Sequence, residues 1–448
     1  TDAFLNKEFQ KKQNFFSFSD IDSARKDRIM KFTSTEATPA PHVPPGVLRL
    51  TGAAKEDIPM YRIQTMNKIS PVGLNRFPSE LYEVGDAVQD PQGILVRSAK
   101  LLDLEFNPSL LAIARAGVGV NNIPLDRCAA AGIPVFSTPG ANANAVKELV
   151  ICAMLMGSRD IPGAIRWVRE QAASGVDVST VVEKGKSAFI GPELYKKTLG
   201  IIGLGAIGSI VANTAISLGM DVYGYDPFLS VDTALRLDRH VHVVKDINDL
   251  YKRSDYITMH IHYTEKTAHM IDADAIAAMK RGVRVINLAR GEIVDDEAML
   301  TALDTGMVAA YITDFPNNRL LTAPHVIAMP HLGASTPESE QNCAAMAVDT
   351  LRDYLESGNI RSSVNLPEMT MDRSGVQRLC VLHKNVPGML ANITSLFGRD
   401  GVNVENLSNK SRGDYAYTMV DLGSKVGDNV IEDVRRTANV IRVRSLEW

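Results

Sequence analysis

A glycine-rich turn between an apolar run and a helix-like run constrains the fold of this chain most strongly. The stretch "GLGAIG" places Gly203, Gly205 and Gly208 in G-x-G-x-x-G spacing directly after the apolar run "LGII". Glycines there permit a tight turn and let a pyrophosphate approach the amides and the dipole at the start of the next helix. The stretch predicts a dinucleotide-binding βα unit. The alternative is a glycine turn that only packs a helix against a strand.

Short apolar runs alternate with amphipathic stretches from about residue 60 to residue 330, which is the pattern of βα units around a parallel sheet. The runs "GILVRSA", "LLAIARAG" and "IPVFST" precede the glycine turn, and a second series continues from it to "VIAMP". The last segment has the order strand–helix–strand–strand–helix–strand, typical of a small α+β sandwich. We therefore predict an α/β protein with two doubly wound Rossmann-like lobes and a C-terminal α+β domain.

Composition and charge narrow the possible partners. The 448 residues include 48 basic and 52 acidic side chains, a net charge of −4, which gives no electrostatic reason to bind nucleic acid or an anionic membrane. No apolar run approaches the ~18 residues of a membrane-spanning helix. The four cysteines lie far apart, in neither a metal-ligand pattern nor a disulfide pattern. We expect a cytoplasmic protein with no metal, no nucleic-acid partner and no membrane partner.

The first 59 residues differ from the rest of the chain. They contain the Thr/Pro/Ala-rich stretch "TSTEATPAPHVPPG", which cannot bury much apolar surface. We predict that residues 1–59 form a poorly ordered extension or linker. A transit peptide is the alternative, and the five acidic residues between positions 2 and 27 argue against it.

Several polar residues follow predicted strands at the edge where open α/β sheets bind ligands. Asp226 in "YGYDP" could accept hydrogen bonds from the ribose hydroxyls and disfavour a 2′-phosphate, which predicts NAD; alternatively it caps the turn. Arg290 could hold a substrate carboxylate at two points. His331 could accept the proton that leaves when a secondary alcohol is oxidised. His260 could line the cofactor groove or could only pack.

The combination of "GLGAIG", "YGYDP", "NLARGEIVD" and "PHLGAST", with "ARAGVGVNNIPLD" and "TPGANANAVKEL" upstream, resembles the D-isomer-specific 2-hydroxyacid dehydrogenases. The resemblance implies a discontinuous substrate domain, residues 60–155 and 340–370, around an inserted NAD-binding Rossmann domain, residues 156–339. It also implies oxidation of a phosphorylated 2-hydroxy acid by a homo-oligomer, a dimer or a tetramer. Two alternatives remain: a reductase of hydroxypyruvate, glyoxylate or 2-oxoglutarate, and an NAD-sensing scaffold with weak turnover.

Residue roles follow from the resemblance by position. It implies that Arg290 binds the substrate carboxylate and that His331 is the acid/base. The implied substrate site also contains Arg97, Val118, Gly119, Asn142 and Lys147, with Arg97 at the substrate phosphate. The implied cofactor site contains Gly203, Gly205, Ile207, Gly208, Asp226, His260, Ala289 and Asp314.

One position departs from the family pattern. The family usually has a Glu that pairs with the catalytic histidine and raises its basicity. When Phe315 is aligned on the family's Phe, Asn318 stands at the position of that Glu. Asp314 ends the strand "AAYITD" and is the nearest substitute, so we predict it as a third catalytic participant. Alternatively, Asn318 hydrogen-bonds the imidazole without charge.

Residues 376–448 resemble the ACT regulatory domain. The stretches "LHKNVPGMLANI" and "GVNVENL" match its ligand-binding turns. The resemblance implies that His383, Asn385 and, across a subunit boundary, Asn403 hold L-serine as an effector. The alternative is a dimerisation sandwich that binds no ligand.

Overall fold

The computed structural model of the chain describes residues 60–448, and the predicted linker at residues 1–59 lies outside them. In chain order the strands are β1 (Tyr61–Met66), β2 (Tyr82–Gly85), β3 (Gly93–Val96), β4 (Ala112–Arg115), β5 (Val135–Phe136), β6 (Thr198–Ile202), β7 (Asp221–Tyr225), β8 (Val241–Val244), β9 (Tyr256–Met259), β10 (Val283–Asn287), β11 (Val308–Thr313), β12 (Val326–Ala328), β13 (Gln377–Lys384), β14 (Val404–Arg412), β15 (Tyr415–Leu422) and β16 (Val440–Glu447).

The α-helices, also in chain order, are α1 (Pro71–Leu74), α2 (Leu125–Ala130), α3 (Ala143–Arg159), α4 (Ile161–Ala173), α5 (Val178–Gly185), α6 (Ala206–Ser217), α7 (Val231–Ala234), α8 (Ile247–Arg253), α9 (Ala273–Ala277), α10 (Asp296–Asp304), α11 (Pro337–Ser357), α12 (Met389–Arg399) and α13 (Asp428–Arg436). None of these helices is long and apolar enough to cross a membrane.

The first lobe is a parallel sheet of five strands in the order β2-β1-β3-β4-β5. Its core is completed by α11, which comes from much later in the chain: Val348 and Leu351 of α11 share one apolar cluster with Ile63 and Leu95 of the sheet. Helix α11 begins where the Thr336 hydroxyl accepts a hydrogen bond from a backbone N–H of the first turn, with proline at the first helical position. The first lobe is therefore built from two separate parts of the chain.

The second lobe is a parallel sheet of seven strands in the order β12-β11-β10-β9-β6-β7-β8. Its central strands are buried on both faces, as all four residues of β9 illustrate, which is why they read as continuous apolar runs rather than as alternating ones. Helices α4 and α5 come before β6, and no residue of either helix is fully buried.

The C-terminal module is a four-stranded antiparallel sheet in the order β14-β15-β13-β16. Helices α12 and α13 cover one face, where residues such as Ile393 and Val434 form a separate core. The other face packs on the first lobe, because Leu382, Tyr417 and Met419 belong to the same apolar cluster as α11. The predicted fold class is confirmed: parallel α/β lobes with a distinct antiparallel α+β domain at the C-terminus.

Two arginines of the module contact the C-terminal end of α11. Arg378 is fully buried, pairs with Asp421 at 2.5 Å and donates a hydrogen bond to the carbonyl oxygen of Ser357 at 2.8 Å. Arg444 donates to the carbonyl oxygen of Tyr354 at 3.0 Å. The last carbonyls of a helix have no partner within the helix. The module supplies a donor to the Ser357 oxygen, while the Tyr354 oxygen also accepts a hydrogen bond from the Gly358 N–H at 2.9 Å.

The buried pair leads to a stability prediction. We expect Asp421→Ala to lower the free energy of unfolding by about 3–5 kcal/mol, because it leaves the Arg378 guanidinium buried without its counter-charge. Urea denaturation followed by circular dichroism measures the change. The matched control is Asp349→Ala, which breaks the half-exposed pair with Arg76 and should cost far less, because solvent screens that pair. Equal losses in the two variants would contradict the prediction.

Candidate active site

A cleft of about 680 Å³ is lined by both lobes. The structure brings into it six of the residues predicted from sequence to meet the substrate or to carry out the chemistry: Arg97, Val118, Gly119, Asn142, Arg290 and His331. Each follows a strand or precedes a helix of its lobe, so the carboxyl ends of the two parallel sheets form the cleft. That placement agrees with the rule for ligand sites in open α/β sheets.

Arg115 is a cleft residue that the sequence reasoning missed. It is the last residue of β4, and its Nε donates a hydrogen bond to the carbonyl oxygen of Arg97 at 3.0 Å. Burial lowers the pKa of Arg115, and the charges of Arg290 and Arg97 lower it further. The available signal was a charged residue at the end of the apolar run "LLAIARAG". Three guanidinium groups therefore line one cleft and favour a substrate with more than one negative charge.

Phe315 lies beside both His331 and Arg290. Its ring centroid is 4.6 Å from that of His331, and the Arg290 Cζ is 5.8 Å from the Phe315 centroid. The Arg290 guanidinium also lies close to the glycine turn of the first lobe, since a Cβ added to Gly119 would be 3.2 Å from Arg290 Nη2. His331, the candidate proton acceptor, and Arg290, the candidate anion-binding group, are thus both held beside Phe315 in the same cleft.

Asp314 contacts the backbone of the loop that carries His331. It is 1% exposed, and its Oδ2 accepts a hydrogen bond from the Gly333 N–H at 3.1 Å, while its Oδ1 is buried without a partner. Burial raises the pKa of Asp314. Among residues 60–448, no carboxylate pairs with His331 and no hydrogen bond joins it to Asn318, which is exposed on the turn before Leu320. The participation of Asp314 in catalysis stays a prediction, and the contact it makes is with the loop.

The glycine turn has the geometry that a dinucleotide needs. Gly203 has a φ of +89°, and a Cβ there would lie 2.6 Å from the carbonyl oxygen of His260. A Cβ on Gly208 would lie 1.9 Å from the Gly203 oxygen, so helix α6 packs closely on the turn. A Cβ added to Gly205, the N-cap of that helix, would have no other heavy atom within 4 Å. The residues present therefore fit a pyrophosphate at the N-terminus of α6.

The remaining cofactor candidates surround this turn. Asp226 accepts hydrogen bonds from the N–H groups of Leu204 and Phe228, each at 2.9 Å. Its carboxylate therefore contacts the glycine turn through Leu204 and stabilises, through Phe228, the turn that begins at Asp226 itself. Burial lowers the pKa of His260 to about 4, which keeps its ring neutral. Ala289 is half-buried and accepts a hydrogen bond from Arg290 Nη1 at 2.7 Å. Ile207 is half-buried in the first turn of α6.

Four predicted residues lie away from the cleft. Lys147 is mostly buried on α3, where the nearest carboxylate is that of Glu148 at 3.7 Å, and it does not line the cleft. His383 differs from the expectation of a ligand contact: it is 2% exposed, and its ring nitrogens lie 2.8 Å from the Lys384 carbonyl and 2.8 Å from the Thr418 hydroxyl. The effector candidates Asn385 and Asn403 are exposed in the C-terminal module.

Comparisons with known proteins agree with this geometry. Residues 151–333 match the model of the D-isomer specific 2-hydroxyacid dehydrogenase NAD binding domain. The chain is 31% identical over 379 residues to the D-3-phosphoglycerate dehydrogenase of Haemophilus influenzae. The aligned region covers 81% of this chain and 88% of that relative. The chain belongs to the D-isomer-specific 2-hydroxyacid dehydrogenase family, and it contains the family's NAD-binding domain.

Other relatives are longer, and the two solved structures below each cover about two thirds of this chain. The D-3-phosphoglycerate dehydrogenase of Synechocystis is 36% identical over 71% of this chain, which spans 56% of that relative's length. An NAD⁺-bound 3-phosphoglycerate dehydrogenase of Entamoeba histolytica matches with a TM-score of 0.53 and 26% identity over 68% of this chain and 99% of its own. An NADPH-dependent glyoxylate/hydroxypyruvate reductase of Sinorhizobium meliloti matches with a TM-score of 0.56 and 26% identity over 68% and 97%.

The environment of Asp314 predicts a pH-dependent stability difference. Because its pKa is raised in the folded protein, the unfolded chain loses this proton at a lower pH, so the stability falls as the pH rises above the ordinary aspartate pKa of about 3.9. Asp314→Asn keeps an acceptor for Gly333 and removes this fall. We therefore expect the variant to gain melting temperature over the wild type on going from about pH 4 to about pH 7. A constant difference between the two proteins across that range would contradict the prediction.

Proposed function

We propose that the protein oxidises D-3-phosphoglycerate to 3-phosphohydroxypyruvate with NAD, the first step of L-serine biosynthesis. The observation that carries the proposal is the convergence of Arg97, Arg115 and Arg290 on one cleft with His331. This substrate has a carboxylate at one end and a phosphate at the other, so it presents the multiple negative charge that such a cleft favours. The names of the similar proteins from Haemophilus influenzae and Synechocystis support the same substrate.

The two ends of the substrate meet different groups in this proposal. Arg290 and the backbone amides of Val118 and Gly119 hold the carboxylate next to the reacting carbon. Arg97 and Arg115 hold the phosphate, and Asn142, whose Oδ1 is buried without a hydrogen-bond partner, orients the substrate between them.

His331 takes the proton of the C2 hydroxyl. Its imidazole is exposed and lines the cleft, where it can act as a general base toward a bound hydroxyl. The turn of Gly203, Gly205 and Gly208 would hold NAD, which would supply the acceptor for the hydride of the same carbon. Asp314 fixes the loop after His331 through the Gly333 N–H, which keeps the imidazole at its place beside Phe315.

A second candidate function has a specific observation in its favour. The similarity to an NADPH-dependent glyoxylate/hydroxypyruvate reductase, at 26% identity, suits reduction of a 2-oxo acid that lacks a phosphate. The number of arginines in the cleft favours the phosphorylated substrate. A scaffold with weak turnover is less consistent with the retention of both Arg290 and His331.

Assembly and regulation complete the proposal. Ile165 and Val168 of α4 and Val182 of α5 expose between 38% and 50% of their surface, which suits a homo-oligomer that covers these helices. Asn385 and Asn403 remain the groups that would bind L-serine as an effector, and the unpaired state of all four cysteines is consistent with the cytoplasm.

The substrate assignment is tested by NADH formation with D-3-phosphoglycerate and with D-glycerate, in the presence and absence of L-serine. We expect turnover to require the phosphate, and Arg97→Ala to raise KM for D-3-phosphoglycerate about 10- to 100-fold, because it removes a charged hydrogen-bond donor. D-glycerate at equal efficiency in both proteins would instead favour the reductase function.

The role of His331 has its own test. We expect His331→Asn to lower kcat about 10²- to 10⁴-fold and to leave NAD affinity unchanged, because the imidazole transfers a proton and does not belong to the glycine turn. Stopped-flow measurement of kcat and titration of NAD by protein fluorescence separate the two effects. Unchanged kcat would remove His331 from the mechanism.

A further inference from the structure

Glu340 lies in the first turn of α11 and lines the cleft beside Arg97. Its Oε1 is 2.5 Å from Arg97 Nη2, and the two side chains are about half exposed, at 45% and 43%. The pair therefore joins a carboxylate of the return helix to the guanidinium that the proposed function assigns to the substrate phosphate.

The contact uses only one nitrogen of Arg97. In the described part of the chain, Nε and Nη1 of Arg97 donate no hydrogen bond. Each edge of a guanidinium that can hold an oxyanion at two points includes Nη2, so a phosphate bound in that way must displace Glu340. A phosphate bound at a single free nitrogen would still lie within a few ångströms of the Glu340 carboxylate. Like charges at that distance repel each other, and the repulsion is only partly screened in a half-exposed cleft.

The position of Glu340 in helix α11 also favours its carboxylate over a free anion for the place beside Arg97. The first turn of a helix favours negative charge, because its N–H groups and dipole point toward it. Glu340 is attached to that turn and therefore occupies the favourable field at no cost in translational entropy. Glu292, the other carboxylate of the cleft, forms no ion pair among residues 60–448, so it has no comparable hold on an arginine.

We propose that Glu340 competes with the substrate phosphate for Arg97 and so sets the affinity and the charge selectivity at the phosphate end of the cleft. The inference rests on the proposed function, since it takes Arg97 as the partner of the phosphate. Glu340 contacts no reacting group, which makes it a specificity-determining residue: its carboxylate raises KM for a phosphorylated substrate and leaves kcat unchanged.

The test compares Glu340→Gln with Glu338→Gln in the full chain. Glu338 lies in the same helical turn, is exposed and forms no ion pair within the described residues, so its variant loses the same charge without touching an arginine. We expect Glu340→Gln to lower the Kd for inorganic phosphate, measured by calorimetry, and the KM for D-3-phosphoglycerate about three- to fivefold, the effect of an exposed ion pair. Glu338→Gln should change neither by more than about twofold.

Three results would overturn the proposal. An equal gain in both variants would show that the overall charge, not the ion pair, governs phosphate affinity. Weaker phosphate binding in Glu340→Gln would show that Glu340 holds Arg97 in position instead of competing for it. In an Arg97→Ala background, Glu340→Gln should have no effect on either quantity, and a gain that persists there would equally overturn the proposal.

The two arms of the test separate this inference from the proposed function. Phosphate binding is measured without turnover, so tighter phosphate in Glu340→Gln with no oxidation of D-3-phosphoglycerate would support the competition and reject the substrate. Oxidation of D-3-phosphoglycerate with an unchanged KM in Glu340→Gln would support the substrate and reject the competition.

Discussion

The packing of α11 into the first lobe is the contact on which the rest of the described structure depends. Val348, Leu351 and Leu355 are fully buried along one side of this helix, and burial of such a side chain stabilises a fold by roughly 1.5–3 kcal/mol. The start of α11 supplies Glu340 to the cleft, and its end receives hydrogen bonds from Arg378 and Arg444. One helix therefore closes the core of the first lobe, forms a wall of the cleft and seats the C-terminal module.

Asp314 is hydrogen-bonded to the loop that follows His331 and not to the imidazole ring. A carboxylate in direct contact with an imidazole raises its basicity by stabilising the charged ring. Here the buried carboxylate accepts a hydrogen bond from Gly333 instead, so it acts on the backbone that follows the histidine. Phe315 provides the contact with the ring itself. The carboxylate thus lies on the loop that holds the imidazole, and it also interacts with His331 through Coulomb attraction.

The local sequence pattern was sufficient to predict the parallel sheets and the polar residues at the edge of the cleft. Apolar runs of strand length, the glycine turn and the polar residues that follow strands are short-range signals, and Arg290, His331 and Asn142 line the cleft as predicted. Lys147 does not line the cleft, and its role in substrate binding stays a prediction. A helix residue can face either side, and the rotation of α3 is fixed by packing of residues such as Val146 and Val150 in the core of the second lobe. Arg115 was missed because a strand-end arginine next to a glycine turn resembles a solvated loop charge.

Long-range contacts were the part that the sequence could not predict. The burial of His383 arises from its register opposite Ala416 and its hydrogen bond to Thr418 on the neighbouring strand, which no single stretch of sequence specifies. The docking of the C-terminal module on α11 depends on Arg378 and Arg444, which alternate with apolar residues in their strands and look like solvent-facing positions. Only the folded chain shows that this face is covered.

The shared apolar cluster between the C-terminal module and the first lobe has a mechanical consequence. Leu382 and Tyr417 of the module pack in the same core as Leu351, so the module and the first lobe cannot separate without exposing apolar surface to water. Any closure of the cleft must therefore carry the module along with the first lobe as a single body against the NAD-binding lobe. A fluorophore attached to the module would then move together with the first lobe, so its position relative to the NAD-binding lobe would change with the angle between the two lobes.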